Sequence, residues 1–181
     1  MSARYVITGA AGMLGTGLRD VLQERGEAFE AFTHADLDIT DSDAVRDSLG
    51  RFAETAERPV LINAAAYTDV ERAEEEPDAA YRVNEHGARL LAAAAREVGL
   101  RFVHVSTDFV FDGTKGEPYV ETDTPNPVSV YGASKRAGEV AVLAEDPDAL
   151  IVRTAWVYGP PGPDFPTKVL ERARGLTDGA L

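Results

Sequence analysis

The chain has 181 residues, 44% of them hydrophobic and 27% charged, with a formal net charge of −13. That length suits one domain with its own core, and the acidic balance excludes a protein that tracks phosphate backbones through clustered Lys and Arg. Cysteine is absent, so neither a disulfide nor a thiolate zinc site holds the fold, and the expected setting is a reducing cytoplasm.

Short apolar runs alternate with helical patterns. Tyr5-Val6-Ile7-Thr8 reads as a strand, and Met13 to Arg25 as a helix with apolar spacing at Leu14, Leu18, Val21 and Leu22. Ala28 to Thr33 is a second strand. Thr40 and Asp43 stand at capping-box spacing, with Asp in place of Glu or Gln, and predict a helix running to about Phe52. Val60 to Asn63 is a third strand, and Glu71, Glu74, Glu75 and Glu76 read as a solvated helix face. Asp78 to Val98 is a long Ala-rich helix stopped by Gly99. Phe102 to Ser106, Tyr131 to Leu143 and Leu150 to Arg153 then give strand, helix and strand. Between them, Asp112 to Ser129 is broken by Gly113, Gly116, Pro118, Pro125 and Pro127; so long a loop inside a domain is usually functional.

Strands apolar on both faces and separated by helices predict an α/β fold. Right-handed crossovers make it a doubly wound, Rossmann-type parallel sheet with helices on both faces. No secretory signal is visible ahead of the first strand, and the most apolar run, Leu90 to Ala95, is far too short to span a bilayer. The expectation is a soluble cytoplasmic protein with neither a membrane nor a nucleic-acid partner.

Gly9-Ala10-Ala11-Gly12-Met13-Leu14-Gly15 follows the first strand and opens the first helix. Gly9 permits a tight turn, Gly12 lets backbone approach a pyrophosphate, and Gly15 lets helix pack on strand, while the helix N-terminus offers N–H donors. A lone glycine triplet is weak evidence, but strand, loop and helix stand in the order a dinucleotide site needs. At the end of the second strand, Thr33-His34 supplies no carboxylate for a ribose 2′-OH. That leans towards NADPH, with NADH possible; an exposed loop histidine is the equal alternative for His34. Asp38 and Ile39 stand where they could edge an adenine. Ala64, Ala65 and Ala66 end the third strand with side chains small enough for a ligand to lie against backbone, or for a tight strand–helix contact.

Tyr131 and Lys135 stand four residues apart at a helix start, so both point from one face. Such a pair arises often by chance; here it follows the long loop and the fourth strand, which ends in Ser106-Thr107-Asp108. Hydride delivered to a carbonyl carbon leaves an alkoxide that needs a proton, which a tyrosine can give if a cation steadies its phenolate. Lys135 is expected to lower the Tyr131 pKa and to hold a nicotinamide ribose, and Thr107 to orient the carbonyl oxygen.

These residues belong to longer matching segments: Thr8 to Gly15, Leu37 to Asp41, Asn63 to Glu71, Ser106 to Gly113, Tyr131 to Lys135 and Arg153 to Gly159. On them the chain resembles the extended short-chain dehydrogenase/reductases, and within these the dTDP-4-dehydrorhamnose reductases. The resemblance implies Thr107, Tyr131 and Lys135 as catalytic residues and the 4-keto group of a dTDP-linked sugar as hydride acceptor. It adds Thr68 to the cofactor contacts, and Asp108, Phe109 and Trp156 to the substrate side; a buried core aromatic is the other reading of Trp156. Nucleotide-sugar 4,6-dehydratases, which are similar, carry an Asp-Glu pair after the catalytic hydroxyl. Here Phe109 follows Asp108, so reduction is expected rather than dehydration.

The resemblance also implies a cofactor-binding domain over residues 1–160 and, from 161–181, the start of a substrate-binding lobe that members of the family continue into. Pro166 to Gly175 is expected to be the helix entering that lobe, the chain a fragment, and the full-length protein a homodimer. Two alternatives stay open: a non-catalytic regulatory subunit of the methionine adenosyltransferase type, and an epimerase of the same superfamily, disfavoured by the missing acid after the second strand. No His/Asp/Glu cluster has ligand spacing, so no metal is expected.

Overall fold

The computed structural model describes residues 4–55, 57–159 and 165–177. Five parallel strands stand in the order β2-β1-β3-β4-β5, from β1 (Arg4–Thr8), β2 (Ala28–Phe32), β3 (Val60–Asn63), β4 (Arg101–Thr107) and β5 (Leu150–Thr154). The chain leaves β1 for β2 on one side and then crosses to β3 on the other. That reversal opens a crevice at the carboxyl ends of β1 and β3, where open α/β sheets bind ligands. The register sets Thr8 beside Asn63, and Ala64 N–H donates to the Thr8 carbonyl at 3.1 Å, so the two strand ends meet at this point.

Alternation along β1 divides the core. Val6 packs with Leu61, Phe102 and the helix residues Leu49, Phe52 and Leu91 of α2 (Ser42–Thr55) and α5 (Ala88–Glu97). Its neighbour Ile7 packs the other way with Ala10 and with Leu22 of α1 (Met13–Glu24). Helices therefore cover both faces of the sheet, as the apolar strands require.

Three local expectations are corrected. The α2 N-terminus is capped by Asp41, whose carboxylate accepts from Asp43 N–H at 3.0 Å and Ala44 N–H at 3.1 Å; the Thr40 hydroxyl is taken by Asp38 at 2.8 Å. Thr33 lies just past β2, because its N–H and hydroxyl both donate to Asp36 in a turn. The long helix expected from Asp78 is three pieces: α4 (Pro77–Tyr81), a π turn over Arg82–Gly87, and α5. A further short helix, α3 (Val70–Glu75), precedes them. Its acids are not all idle: Glu74 accepts from Val130 N–H at 2.7 Å, and Glu76, just after α3, accepts from the Tyr67 hydroxyl at 3.0 Å.

The π turn lies where α6 (Val130–Glu145) crosses closely. A β-carbon on Gly138 of α6 would stand 2.1 Å from the Asn84 carbonyl oxygen, so the two backbones meet there without a side chain between them. α7 (Phe165–Thr177) spans the expected Pro166–Gly175 helix, while the expected domain boundary at 160/161 lies outside the described residues. Among the described residues no helix is long and apolar enough to cross a membrane.

Candidate functional site

A crevice of about 660 Å³ opens at the switch point, lined by the glycine loop, His34, Asp38, Ile39, Ala64 to Thr68, Tyr131 and Lys135. The glycine loop is shaped by close contacts. Gly9 has φ +73°, and a β-carbon there would sit 2.5 Å from Ala65 N; one on Gly15 would sit 2.2 Å from the Gly9 carbonyl oxygen. Gly12 caps α1 with no side-chain hydrogen bond, and the first turn of α1 carries no acid. Uncapped N–H donors at a helix start, facing a crevice of dinucleotide size, fit a pyrophosphate.

Gly12, Met13, Leu14, Ala64, Ala65, Ala66 and Thr68 all line the crevice, with Gly9, Gly15, His34, Asp38 and Ile39. Thr33 does not: its polar atoms are turned to Asp36. Sequence reasoning missed Val83, Val105, Thr154 and Val157, which complete the lining with Ser106, Ala11, Leu37 and Tyr67. Val105 lies inside the predicted fourth strand, where apolar periodicity does not mark a residue as facing a ligand.

Tyr131 and Lys135 come from the first turns of α6, capped by the Ser129 hydroxyl, which accepts from Gly132 N–H at 3.1 Å. Thr107, the last residue of β4, also caps the following 3₁₀ turn (Asp108–Val110), and its hydroxyl accepts from Phe109 N–H at 3.2 Å. Burial raises the Tyr131 pKa above its usual value; a hydrogen bond with Thr107 opposes this and the Asp108 charge adds to it. The Lys135 ammonium donates to the Val105 carbonyl at 2.7 Å. Burial brings Lys135 itself down to about 8, with Glu139 pulling it up. The phenol therefore stays protonated at neutral pH, the form that gives a proton to an alkoxide.

Of the residues expected on the substrate side, Asp108 and Phe109 are exposed beside Tyr131, and the Phe109 ring meets the Tyr131 ring edge-on at 5.5 Å. Trp156 is 71% exposed, and its ring packs edge-on against Phe165 at 4.8 Å. None of these three lines the crevice.

Two supporting residues escaped sequence reasoning. Asn84, in the π turn and 1% exposed, accepts from Tyr67 N–H at 2.8 Å and donates to the Tyr67 carbonyl at 3.1 Å and the Ser134 hydroxyl at 2.9 Å. It thereby joins the loop after β3 to the helix carrying Tyr131 and Lys135. Glu139, one turn beyond Lys135, accepts two hydrogen bonds from Arg153 of β5. Only a buried polar residue inside an apolar helix pattern hints at either.

The chain is 48% identical to a dTDP-4-dehydrorhamnose reductase of Streptomyces griseus over 169 residues, covering 92% of this chain and 54% of that protein. It is 46% identical to a dTDP-4-keto-6-deoxy-D-glucose reductase of Streptomyces niveus, covering 98% of this chain and 62% of that one. A crystal structure of dTDP-4-dehydrorhamnose reductase from Bacillus anthracis, in complex with NADP, superposes with TM-score 0.90 at 38% identity, over 97% of this chain and 61% of that one. The chain spans little more than half the length of the curated relatives it matches. A model of the RmlD substrate binding domain matches residues 3–178, and the chain belongs to that family.

Proposed function

We propose that residues 1–160 form the cofactor-binding and catalytic part, and residues 161–181 the start of a substrate lobe, of an NADPH-dependent reductase. Its substrate is a dTDP-4-dehydro-6-deoxy sugar, reduced at the 4-keto group: dTDP-4-dehydrorhamnose to dTDP-L-rhamnose. The observation that carries this reading is a phenol held neutral beside the Thr107 hydroxyl, at the mouth of a crevice whose other end is an uncapped helix N-terminus. The match to reductases of two dTDP-4-keto sugars supports the substrate class. NADPH, with NADH as an accepted second donor, agrees with His34 standing where a carboxylate would select the free ribose.

NADPH supplies a hydride when bound, held by Gly9, Gly12, Met13, Leu14 and Gly15 around the pyrophosphate, by Asp38 and Ile39 near the adenine, and by Ala64 to Ala66 along the chain. The protein does the rest. Thr107 holds the substrate carbonyl oxygen towards Tyr131, and Tyr131 gives its proton to that oxygen as negative charge develops. Lys135 holds the nicotinamide ribose and presents a positive charge to the phenolate left behind. Asp108, Phe109 and Trp156 flank the sugar. General acid assistance of this kind is worth roughly 10²–10⁴-fold in rate. A cytoplasmic location, where NADPH and nucleotide sugars are found, goes with this reading.

The test follows NADPH oxidation by the full-length protein with dTDP-4-dehydro-L-rhamnose, beside a Tyr131→Phe variant. Turnover that falls at least about 10²-fold in the variant supports the proposal. Tight NADPH binding with no turnover in the unaltered protein overturns it in favour of a regulatory dinucleotide-binding subunit.

A further inference from the structure

The reaction above uses Tyr131 and Lys135 of α6 but not Glu139, the next residue at the same spacing and on the same helix face. Glu139 is 1% exposed, and Lys135 is 2% exposed. The acid is tied from both sides: Arg153 of β5 donates from Nε at 2.8 Å and from a terminal nitrogen at 2.7 Å, and Arg136 donates at 2.8 Å. The Arg153 guanidinium also lies over the Phe111 ring at 5.0 Å, and Phe111 stacks on Tyr119 at 4.2 Å, so the anchor extends into the long loop after β4.

An ammonium so deeply buried is costly unless an opposite charge is near. The partner Lys135 has for hydrogen bonding, the Val105 carbonyl, is neutral. The groups around it divide cleanly. His104 of β4 is buried and uncharged at neutral pH, Asn84 and Ser134 are neutral, and Arg136 and Arg153 are cations, each paired with Glu139. Tyr131 and Asp108 lie at the outer end of the site, and Arg89 pairs with Glu145 further along the helix. Among the described residues, Glu139 is the anion whose charge acts on the Lys135 ammonium.

We infer that Glu139 is a positioning residue: the buried counter-charge that keeps the Lys135 ammonium protonated and docked on Val105, held in place by Arg153 and Arg136. The pull of Glu139 on Lys135 against burial has the same sign. Burial pushes the Glu139 carboxyl up, and the bonds from Arg153 and Arg136 outweigh that and keep it ionised. The catalytic meaning of this arrangement rests on the role proposed for Lys135; the electrostatic arrangement does not.

The chain has three lysines, Lys115, Lys135 and Lys168, so protein labelled with ¹³C at lysine Cε gives a readable titration for each, with Lys135→Met assigning the signal. No cofactor or substrate is needed. Lys135 is expected to titrate near 8 in the unaltered protein, and Glu139→Gln to move its midpoint down by roughly one to three pH units. Glu139→Asp, which keeps the charge, is expected to reverse most of that shift. A Lys135 midpoint unmoved by Glu139→Gln overturns the inference. If that variant does not fold, the Glu139 carboxyl decides in the unaltered protein labelled with ¹³C at glutamate Cδ: it is expected to shift in step with the Lys135 midpoint, and a Glu139 carboxyl that does not respond there overturns the inference instead. Failure of sugar reduction with the titrations as expected would count against the proposed activity alone.

Discussion

Gly132 of α6 is pressed against the turn after β4 so closely that a β-carbon on it would stand 2.2 Å from the Phe109 carbonyl oxygen and 3.2 Å from Pro127 Cβ. Backbone cannot yield as a side-chain tip can, so this contact fixes how far Tyr131 sits from Thr107. Gly132→Ala should push the first turn of α6 outward. A misplacement of about 1 Å costs on the order of 10²-fold in rate, and that loss is expected in kcat/KM. NADPH affinity should change little, because the phosphate end of the crevice is untouched. Gly17 of α1, with nothing near its missing β-carbon, is the control: Gly17→Ala should leave activity alone and add about 0.5–1 kcal/mol of stability. Unaltered kcat/KM in Gly132→Ala would show that the contact does not set the site.

Asn84→Ala should destabilise the fold through the site rather than through the hydrophobic core. The substitution leaves the Tyr67 amide, the Tyr67 carbonyl and the Ser134 hydroxyl without their buried partner. Unsatisfied buried groups cost about 1–3 kcal/mol each, and partial access to water makes a net loss on the order of 3 kcal/mol the expectation. Urea unfolding measures it. NADPH binding should weaken at the same time, since Tyr67 and Thr68 line the crevice. A loss well under about 1 kcal/mol would mean that Asn84 is not what joins the two segments.

His34 is exposed, lines the crevice, and follows a threonine whose polar atoms are already given to Asp36. Those bonds hold the Asp36 carboxyl below its usual pKa range and turn it towards Thr33. His34→Asp would place a new carboxylate where a ribose 2′-OH is recognised and a 2′-phosphate is repelled. NADPH binding is expected to weaken roughly tenfold with NADH binding kept or improved. Equal weakening of both, by fluorescence titration, would place His34 away from the 2′ position.

The sheet was legible because each strand is a short apolar run between turn residues, and the glycine loop because Gly9 and Gly15 are demanded by contacts that any side chain would break. The Tyr131–Lys135 spacing was legible too, since a helix puts such residues on one face. What Lys135 bonds to was not: its acceptor is a backbone carbonyl 30 residues away, and no side-chain pattern encodes one. The π turn escaped for a related reason, because one inserted residue barely disturbs the apolar spacing of Asp78 to Val98. Asn84 and Glu139 owe their roles to partners brought near by the fold, Ser134 at 50 residues' separation and Arg153 at 14.

His104 makes the fold sensitive to acid in a way that can be worked out from its neighbours. Asn63 Oδ1 accepts from the Thr8 hydroxyl at 2.7 Å and from Ala65 N–H at 3.0 Å, which assigns its Nδ2 as the donor to His104 Nδ1 at 3.0 Å. The ring is thus neutral with its proton on Nε2, and a second proton would face an N–H group. Burial, then the charge of Lys135, lower its pKa to about 3, with Glu139 opposing. In the unfolded chain histidine titrates near 6.5, so between those values the unfolded state binds one proton more than the folded one. The contribution is complete above about pH 6.5 and is lost as pH falls towards 3, at about 1.4 kcal/mol per pH unit. His104→Gln removes the titration and should flatten the stability curve by that slope between pH 6 and pH 5, whatever it does to stability at pH 7. Parallel curves for the two proteins would mean that the folded state takes up the proton too, and that the ring is not locked as its hydrogen bonds require.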